Sequence, residues 1–281
     1  MKGEEVRGLR PYIEILISFV VMVSISSYQY AFTLFDKPIA QEFSASPPDV
    51  ALIFTLWVLT QSTPSLLAGY LSDRYGFRIT AGIGGVLASI GWIASSLSPS
   101  IHYLYLFYGL LSGFGSCLVY VSAIGHAVKW NPQRRAFASG IVAAGFGGGT
   151  AITAIPIRYT IDRYGWRTAM LLWGSINLVI SAISALMARE PPGKFKTDSK
   201  SIEVKSVLSM FKEMAVVLLF LSFTAATMAN LFVVGKLSRI ADWLNLKPQW
   251  GVDLVSITIT VSSALNIISR PFWGFVADRY G

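Results

Sequence analysis

Long runs of apolar residues, separated by short polar loops, make up most of the chain. Eight of these runs reach the roughly 20 residues that an α-helix needs to cross the hydrocarbon core of a bilayer. Inside a bilayer the backbone has no water to bond with, so such runs are predicted to be helical. The pattern therefore predicts an all-α, polytopic membrane protein. The predicted spans lie near residues 11–35, 50–71, 79–98, 101–127, 136–157, 168–188, 213–236 and 252–273.

One long hydrophilic stretch interrupts this pattern. It begins after residue 188 and soon reaches a Pro-Pro-Gly sequence, which breaks helices. Six predicted spans precede the stretch and two follow it. We therefore predict an N-terminal six-helix bundle at 1–188, a cytoplasmic linker at 189–212, and the first two helices of a second, incomplete bundle at 213–281.

Composition favours a membrane protein over a soluble domain. Hydrophobic residues make up 53% of the chain and charged residues only 14%. The net charge of +8 does not indicate nucleic-acid binding, because the basic residues lie in short loops and not along one face. On alternate loops, fifteen Lys and Arg fall on one side and seven on the other. The positive-inside rule then predicts a multi-pass protein of the plasma or inner membrane with a cytoplasmic N-terminus.

Residue types with catalytic or metal-binding chemistry are few. Cys117 is the single cysteine, and His102 and His126 lack the spacing of metal ligands. The glycines of 145–149 are not followed by the Lys-Ser/Thr pair of a phosphate loop, so we interpret them as a thin helix face for close packing. We therefore expect no enzyme activity, no cofactor and no metal.

A short charged turn occurs twice, each time after an apolar span. Its Gly, Asp and Arg, first found in 69–78, return with the same spacing in 274–279. A repeat of this kind indicates a duplicated bundle. We predict that its glycines allow close helix approach or relax the turn, that Asp73 accepts from the N-terminus of the next helix, and that its arginines are cytoplasmic charges. The positions of this gating motif are Gly69, Asp73, Arg74, Gly76, Arg78, Gly274, Asp278 and Arg279.

The tetrapeptide Asp-Arg-Tyr-Gly of these turns also occurs at 162–165. This third copy lacks the upstream glycine and falls on the outer side of the predicted topology. We therefore interpret it as an ordinary turn that leads into Trp166 and Arg167.

Arg270 is a cation inside a predicted span. An arginine in a membrane helix costs at least about 2.5–3.5 kcal/mol on insertion scales, so it normally faces a cavity or a partner and marks a functional pathway. Its guanidinium matches a carboxylate with two parallel hydrogen bonds and stays charged when buried. Arg270 is therefore the predicted anion-binding residue. The alternative is an arginine that snorkels to the cytoplasmic surface.

The repeated turn resembles the loop signature of the major facilitator superfamily, found between its second and third helices and again between its eighth and ninth. Residues 113–149, 30–35 and 269–274 resemble the oxalate/formate antiporter family, with departures such as Asn131 and Ala136. The resemblance implies two six-helix halves that alternate access to a central site. Only eight of those helices are expected here, so we expect a fragment or a truncated form.

The resemblance also implies a small mono- or dicarboxylate, held by Arg270 together with a lysine of an eleventh helix that this sequence does not contain. Aromatic walls are implied too, and Tyr30 and Tyr120 match family positions. Tyr28 and Gln61 are polar residues within predicted spans. Each forms hydrogen bonds either with the ligand or with a neighbouring helix. The expected partners are small carboxylate anions and the lipid bilayer, without nucleic acid. The complete protein is expected to be a monomer.

Two alternatives to anion exchange remain open. A proton-coupled monocarboxylate carrier places an Asp one turn before the arginine of the eighth helix, but this chain has Asn266 there. The acid that does lie well inside a predicted span is Glu14, and it is near the cytoplasmic edge. Anion exchange is therefore preferred over proton coupling. The alternative of another class is a non-transporting sensor or an inactive, truncated remnant of a transporter.

Overall fold

The computed structural model describes residues 2–191, 212–244 and 254–280, and the regular elements in these ranges are all helical. Each predicted span corresponds to one, two or three consecutive helical segments, which confirms the all-α prediction. Most of the predicted linker 189–212 lies outside the described residues. The elements are α1 (Lys2–Tyr30), α2 (Phe32–Glu42), α3 (Pro47–Ser62), α4 (Ser65–Ser96), α5 (Ile101–Leu104), a π-helical segment (Tyr105–Ser112), α6 (Gly113–Trp130), α7 (Arg135–Gly148), α8 (Thr150–Met187), α9 (Met214–Trp243) and α10 (Leu254–Tyr280).

Several predicted spans consist of two helices in series. α1 continues into α2 after a single turn residue, Ala31. α3 is separated from α4 by Thr63 and Pro64, and proline has no N–H with which to continue the helical ladder. α3 itself begins with a capping box: the Ser46 hydroxyl accepts from the Asp49 N–H at 3.4 Å, and the Asp49 carboxylate accepts from the Ser46 N–H at 3.1 Å.

Two helices each contain the end of one predicted span and most of the next, joined across a kink at a glycine with non-helical dihedral angles. Gly76 in α4 has φ +81°, and Gly165 in α8 has φ +83°. A side chain would be strained in this left-handed region, which glycine tolerates. The turn predicted at Gly76 is therefore present, and the third Asp-Arg-Tyr-Gly forms a turn of the same backbone geometry.

Four helical stretches are long and apolar enough to cross a membrane: Leu9–Tyr30, Ser65–Ser96, Ile101–Trp130 and Arg135–Met187. This count covers the described residues only. It is smaller than the predicted eight partly because two of the stretches, 32 and 53 residues long, contain the glycine turns. The two spans predicted after the linker are not among the four.

Aromatic side chains form the centre of the packing within residues 9–191. The ring of Trp92 lies 4.6 Å from that of Tyr28 and 5.4 Å from that of Phe35, and all three side chains are fully buried. α4 supplies Trp92 and packs extensively on α6 and α8. After the linker, α10 packs chiefly on α7, so the contact between these two helices positions the functional residues described below.

Candidate functional site

The contact between α7 and α10 is made largely by glycine. A Cβ atom on Gly140 would lie 2.7 Å from the carbonyl oxygen of Arg270, and one on Gly148 would overlap the side chain of Ile267. From the other side, a Cβ on Gly274 would lie 2.5 Å from the carbonyl oxygen of Ala136. Small residues let helix backbones approach closely in membranes. The close approach predicted at Gly274 is therefore present.

The glycine-rich end of α7 also packs on α1. Cβ atoms on Gly145 and Gly149 would each lie 2.7 Å from a carbonyl oxygen of α1, that of Phe19 and that of Val23 respectively. α7 is thus thin on two faces, one toward α1 and one toward α10. This confirms the interpretation of residues 145–149 as a packing face and not a phosphate loop.

Arg270 extends along this thin region of α7. Its Nη1 donates to the carbonyl oxygen of Ala143 at 3.2 Å, and its Nε donates to Asn266 Oδ1 at 3.4 Å, one turn earlier on α10. A Cβ on Gly147 would lie 3.1 Å from the Nε atom. A guanidinium has five N–H donors, more than these two contacts use. The partly buried cation therefore keeps donors for a further acceptor.

Two of the predicted tyrosines lie beside this cation. The Tyr30 hydroxyl is an electrostatic neighbour of the Arg270 guanidinium, and the Tyr120 hydroxyl is a further electrostatic neighbour of Tyr30. The ring of Phe146 joins the two tyrosines edge to face, 5.6 Å from Tyr30 and 5.0 Å from Tyr120. The structure thus brings Arg270, Tyr30 and Tyr120 together around Phe146, which sequence reasoning had not singled out.

The other two predicted binding residues lie elsewhere. Tyr28 is two positions from Tyr30 and so points to a different face of α1. Its buried ring packs on Trp92, and its hydroxyl shares a 3.2 Å hydrogen bond with Ser89. Gln61 is half-buried near the end of α3 and has no hydrogen bond to any residue in the described part of the chain. In this structure both positions are separate from Arg270.

The first charged turn differs from its prediction in its partners. Asp73 forms a salt bridge with Lys129 at 2.9 Å and does not accept from the next helix. That acceptor role belongs to Glu190, whose Oε1 accepts from the Phe77 N–H at 2.6 Å. A Cβ on Gly69 would meet Val121 at an ordinary 3.9 Å, so the close approach predicted there is not made with a described residue.

The arginines of the first turn are at the surface. Arg74 donates to the Tyr70 hydroxyl at 2.7 Å and lies 5.4 Å from the centre of the Tyr75 ring, and Arg78 is exposed. In the second turn, the guanidinium of Arg279 lies 5.7 Å from the centre of the Tyr280 ring. Exposed arginines that make cation–π contacts with tyrosine rings are suited to the boundary between membrane and water.

Asp278 of the second turn caps a helix from the other side of the linker. Its two carboxylate oxygens accept from the N–H groups of Ala136, at 3.0 Å, and Phe137, at 2.7 Å. These are the first free N–H groups of α7, where the helix dipole favours an anion. Asp278 thus makes at α7 the kind of contact that was predicted for Asp73 alone.

An ion pair also joins the part of the chain before the predicted linker to the part after it. The Asp36 carboxylate in α2 accepts from the Arg239 guanidinium in α9 through two bonds of 2.7 and 2.8 Å. Asp36 is only 2% exposed. A cavity of about 270 Å³ lies beside it and is lined in part by Phe32, Phe232 and Lys236. The only sign of this ion pair in the sequence was Asp36 itself, an acid directly after the predicted span 11–35.

An all-helical, multi-pass membrane protein with a partly buried cation between its helices is the class that the fold and the site define. The chain belongs to the Major Facilitator Superfamily, which matches residues 16–281. This superfamily comprises membrane transporters and not enzymes.

Individual relatives cover different parts of the chain. The oxalate:formate antiporter of Oxalobacter formigenes is 28% identical over 269 residues, which is 95% of this chain and 63% of that protein. Monocarboxylate transporter 14 of Homo sapiens is 31% identical over 193 residues, 69% of this chain and 38% of that protein. Monocarboxylate transporter 11 of Homo sapiens is 36% identical over 149 residues, 53% of this chain and 32% of that protein. The chain thus spans less than two thirds of each relative.

A solved structure has the same fold. The crystal structure of a bacterial homologue of the human lysosomal transporter Spinster, in an inward-facing and unoccupied conformation, aligns with a TM-score of 0.71 at 16% identity. The alignment covers 92% of this chain and 60% of that one. The all-α major facilitator fold predicted from the sequence is therefore confirmed.

Proposed function

We propose that the complete protein is a secondary transporter that exchanges small carboxylate anions across a membrane by alternating access. The observation that carries this proposal is the position of Arg270, partly buried on the thin face of α7 and next to the Tyr30 hydroxyl. The similarity to an oxalate:formate antiporter over 95% of the chain supports the substrate class.

Arg270 binds the anion in this proposal. A carboxylate accepts two parallel N–H donors from a guanidinium, and each such bond is stronger than a neutral one because both partners are charged. The Tyr30 hydroxyl donates to a remaining lone pair, and the Phe146 ring contacts the carbon atoms of a small substrate. The bound carboxylate neutralises the charge of the partly buried Arg270, which favours the change between outward and inward access when substrate is bound.

Residues 1–188 and 213–281 belong to two bundles in this proposal, with the N-terminus in the cytoplasm. Alternating access rocks one bundle against the other around a site at their boundary. The Asp278 cap and the Asp36–Arg239 pair each join residues of the first range to residues of the second. Each is a contact that rocking would break in turn.

Proton-coupled monocarboxylate transport is the second candidate, because two monocarboxylate transporters are 31% and 36% identical over their aligned parts. Asn266 argues for exchange instead, since it contacts Arg270 where such carriers place an acid. Uptake that follows a pH gradient without any counter-anion would favour this second candidate.

The test is counterflow of labelled oxalate, formate and other carboxylates in proteoliposomes that contain the full-length protein. We expect Arg270→Gln to abolish exchange, and Arg270→Lys to lower it by about tenfold or more, the effect of about 1.4 kcal/mol. Arg163→Gln, at an exposed arginine of the Gly165 turn, is the matched control. Exchange by Arg270→Gln at the rate of the unmodified protein would assign Arg270 to the snorkelling alternative.

A further inference from the structure

A second buried ionic cluster lies away from Arg270, where α1 meets α6. Glu14 of α1 and His126 of α6 are both fully buried, and His126 Nε2 is 3.0 Å from Glu14 Oε2. The same oxygen accepts from the Arg189 N–H at 3.2 Å, and Arg10 forms an ion pair with the other oxygen. None of these groups takes part in the anion site. An ionisable pair buried in a membrane bundle marks a functional position by default.

The imidazole of His126 is held with one nitrogen unused. Its ring stacks on Phe77 at 4.3 Å and lies 6.4 Å from the ring of Trp130. Nδ1 is buried and has no hydrogen-bond partner among the described residues. Because Nε2 points at a carboxylate, it carries the proton of the neutral ring, and Nδ1 then keeps a free lone pair.

We propose that the Glu14–His126 pair is a proton-binding site. A proton from water adds to the lone pair of His126 Nδ1 and converts the neutral imidazole to imidazolium, while the Nε2–H bond to Glu14 persists. The summed charge of Arg10, Glu14 and His126 changes from zero to +1, and no other bond breaks. Histidine is suited to this role because its ordinary titration range is about pH 5 to 8.

Charged groups face this site from two of the elements packed on it. Arg10 and Glu14 face it from α1, and the Arg189 N–H and Glu190 from the segment after α8. α4 contributes the uncharged Phe77. The Lys129–Asp73 salt bridge lies on the flank, where Lys129 follows His126 by one turn of α6.

The cluster also holds the chain where it leaves α8. Glu14 accepts from the Arg189 N–H, the Trp130 indole donates to the Arg189 carbonyl oxygen at 3.1 Å, and Arg10 donates to the Met187 carbonyl oxygen at 3.2 Å. Protonated His126 has a new N–H at Nδ1, for which the described residues offer no acceptor. An unpaired buried donor is costly, so protonation weakens this attachment. Proton binding therefore changes how firmly the start of the linker is fixed to α1 and α6. An effect on exchange rests on the proposed function, whereas proton binding itself does not.

Nitrogen NMR of ¹⁵N-histidine-labelled full-length protein in liposomes, from pH 5 to 8, tests proton binding directly. We expect the signal that is missing in His126→Gln but present in His102→Gln to change its protonation state in this range. His102 is the matched control because it is exposed and contacts Tyr105. A His126 signal that stays constant from pH 5 to 8 would overturn the proposal. Glu14→Gln, which removes the carboxylate charge, should shift the titration even if His126→Gln does not fold.

Exchange measured with equal pH on both sides of the vesicle is the second readout. We expect the rate to change severalfold across pH 5 to 8 in the unmodified protein and in His102→Gln, and to be nearly constant in His126→Gln. Unchanged pH dependence in His126→Gln would overturn the link to transport. Titration of His126 without exchange of any carboxylate would refute the proposed function and leave the proton site standing.

Discussion

Two aspartates in identical tetrapeptides have different roles because their surroundings differ. Asp278 and Asp162 each begin the sequence Asp-Arg-Tyr-Gly. Asp278 accepts from two N–H groups at the start of α7. Asp162 is largely exposed and forms an ion pair with Arg158, one turn earlier on its own helix. An exposed pair of this kind contributes about 0–1 kcal/mol, less than a helix cap can.

Asp278→Ala is therefore expected to lower the free energy of unfolding by about 0.5–2 kcal/mol, the usual effect of removing an N-cap. Asp162→Ala should change it by less than about 0.5 kcal/mol, as is usual for a surface substitution. Thermal unfolding of both variants in one detergent checks this difference. Equal effects would show that the cap on α7 does not stabilise the protein.

At the scale of elements, the two glycine turns form a natural pair of experiments. Gly76 and Gly165 have almost the same φ, +81° and +83°. A Cβ on Gly76 would overlap the Glu190 carboxylate, whereas one on Gly165 would have no heavy atom within 4 Å. The backbone conformation is therefore shared, and the contact with Glu190 belongs to one turn alone.

Gly165→Ala is expected to cost about 1–3 kcal/mol, because an alanine must adopt a positive φ of 83° together with an extended ψ of 162°, a backbone region that is almost exclusive to glycine. Gly76→Ala should cost more, because it also displaces Glu190 and removes the 2.6 Å bond to the Phe77 N–H. Unfolding midpoints, together with hydrogen exchange at the Phe77 amide, measure both effects. A Gly165→Ala variant that is as destabilised as Gly76→Ala would contradict this role of Glu190.

Local patterns in the sequence sufficed to predict the helices, the turn at Gly76 and the packing face of α7. They also led to Arg270, because a cation within an apolar span is visible without a structure, whereas Tyr30 and Tyr120 were named from the family resemblance. The Asp36–Arg239 pair and the contact of Asp278 with α7 were missed. Each joins residues far apart in sequence, and the spacing of residues along the chain contains no information on which distant charges meet.

At the scale of the whole molecule, the Asp36–Arg239 pair ties the first helical span to the part of the chain after the linker. Asp36 is buried, and Arg239 reaches it with two parallel N–H donors. Removal of one partner from a buried pair leaves the other charge without compensation. The cavity beside the pair is lined by residues of α2, α3 and α9, so the pair borders the boundary between these elements.

Arg239→Gln is expected to destabilise the protein by about 3 kcal/mol or less, because the arginine is partly exposed while Asp36 is buried. The double variant Asp36→Asn with Arg239→Gln should recover part of this loss, since no buried charge then remains unpaired. A double-mutant cycle on thermal unfolding measures the coupling. Additive effects of the two substitutions would show that the ion pair makes no net contribution.

The backbone contact between α7 and α10 has a consequence for the speed of motion. Side chains that interdigitate must change rotamer before one helix can shift past another. At Gly140 and Gly274 little such interlocking exists, because each glycine faces main-chain atoms of the other helix. A small tilt of α10 is therefore expected to meet little resistance from side chains at these two positions.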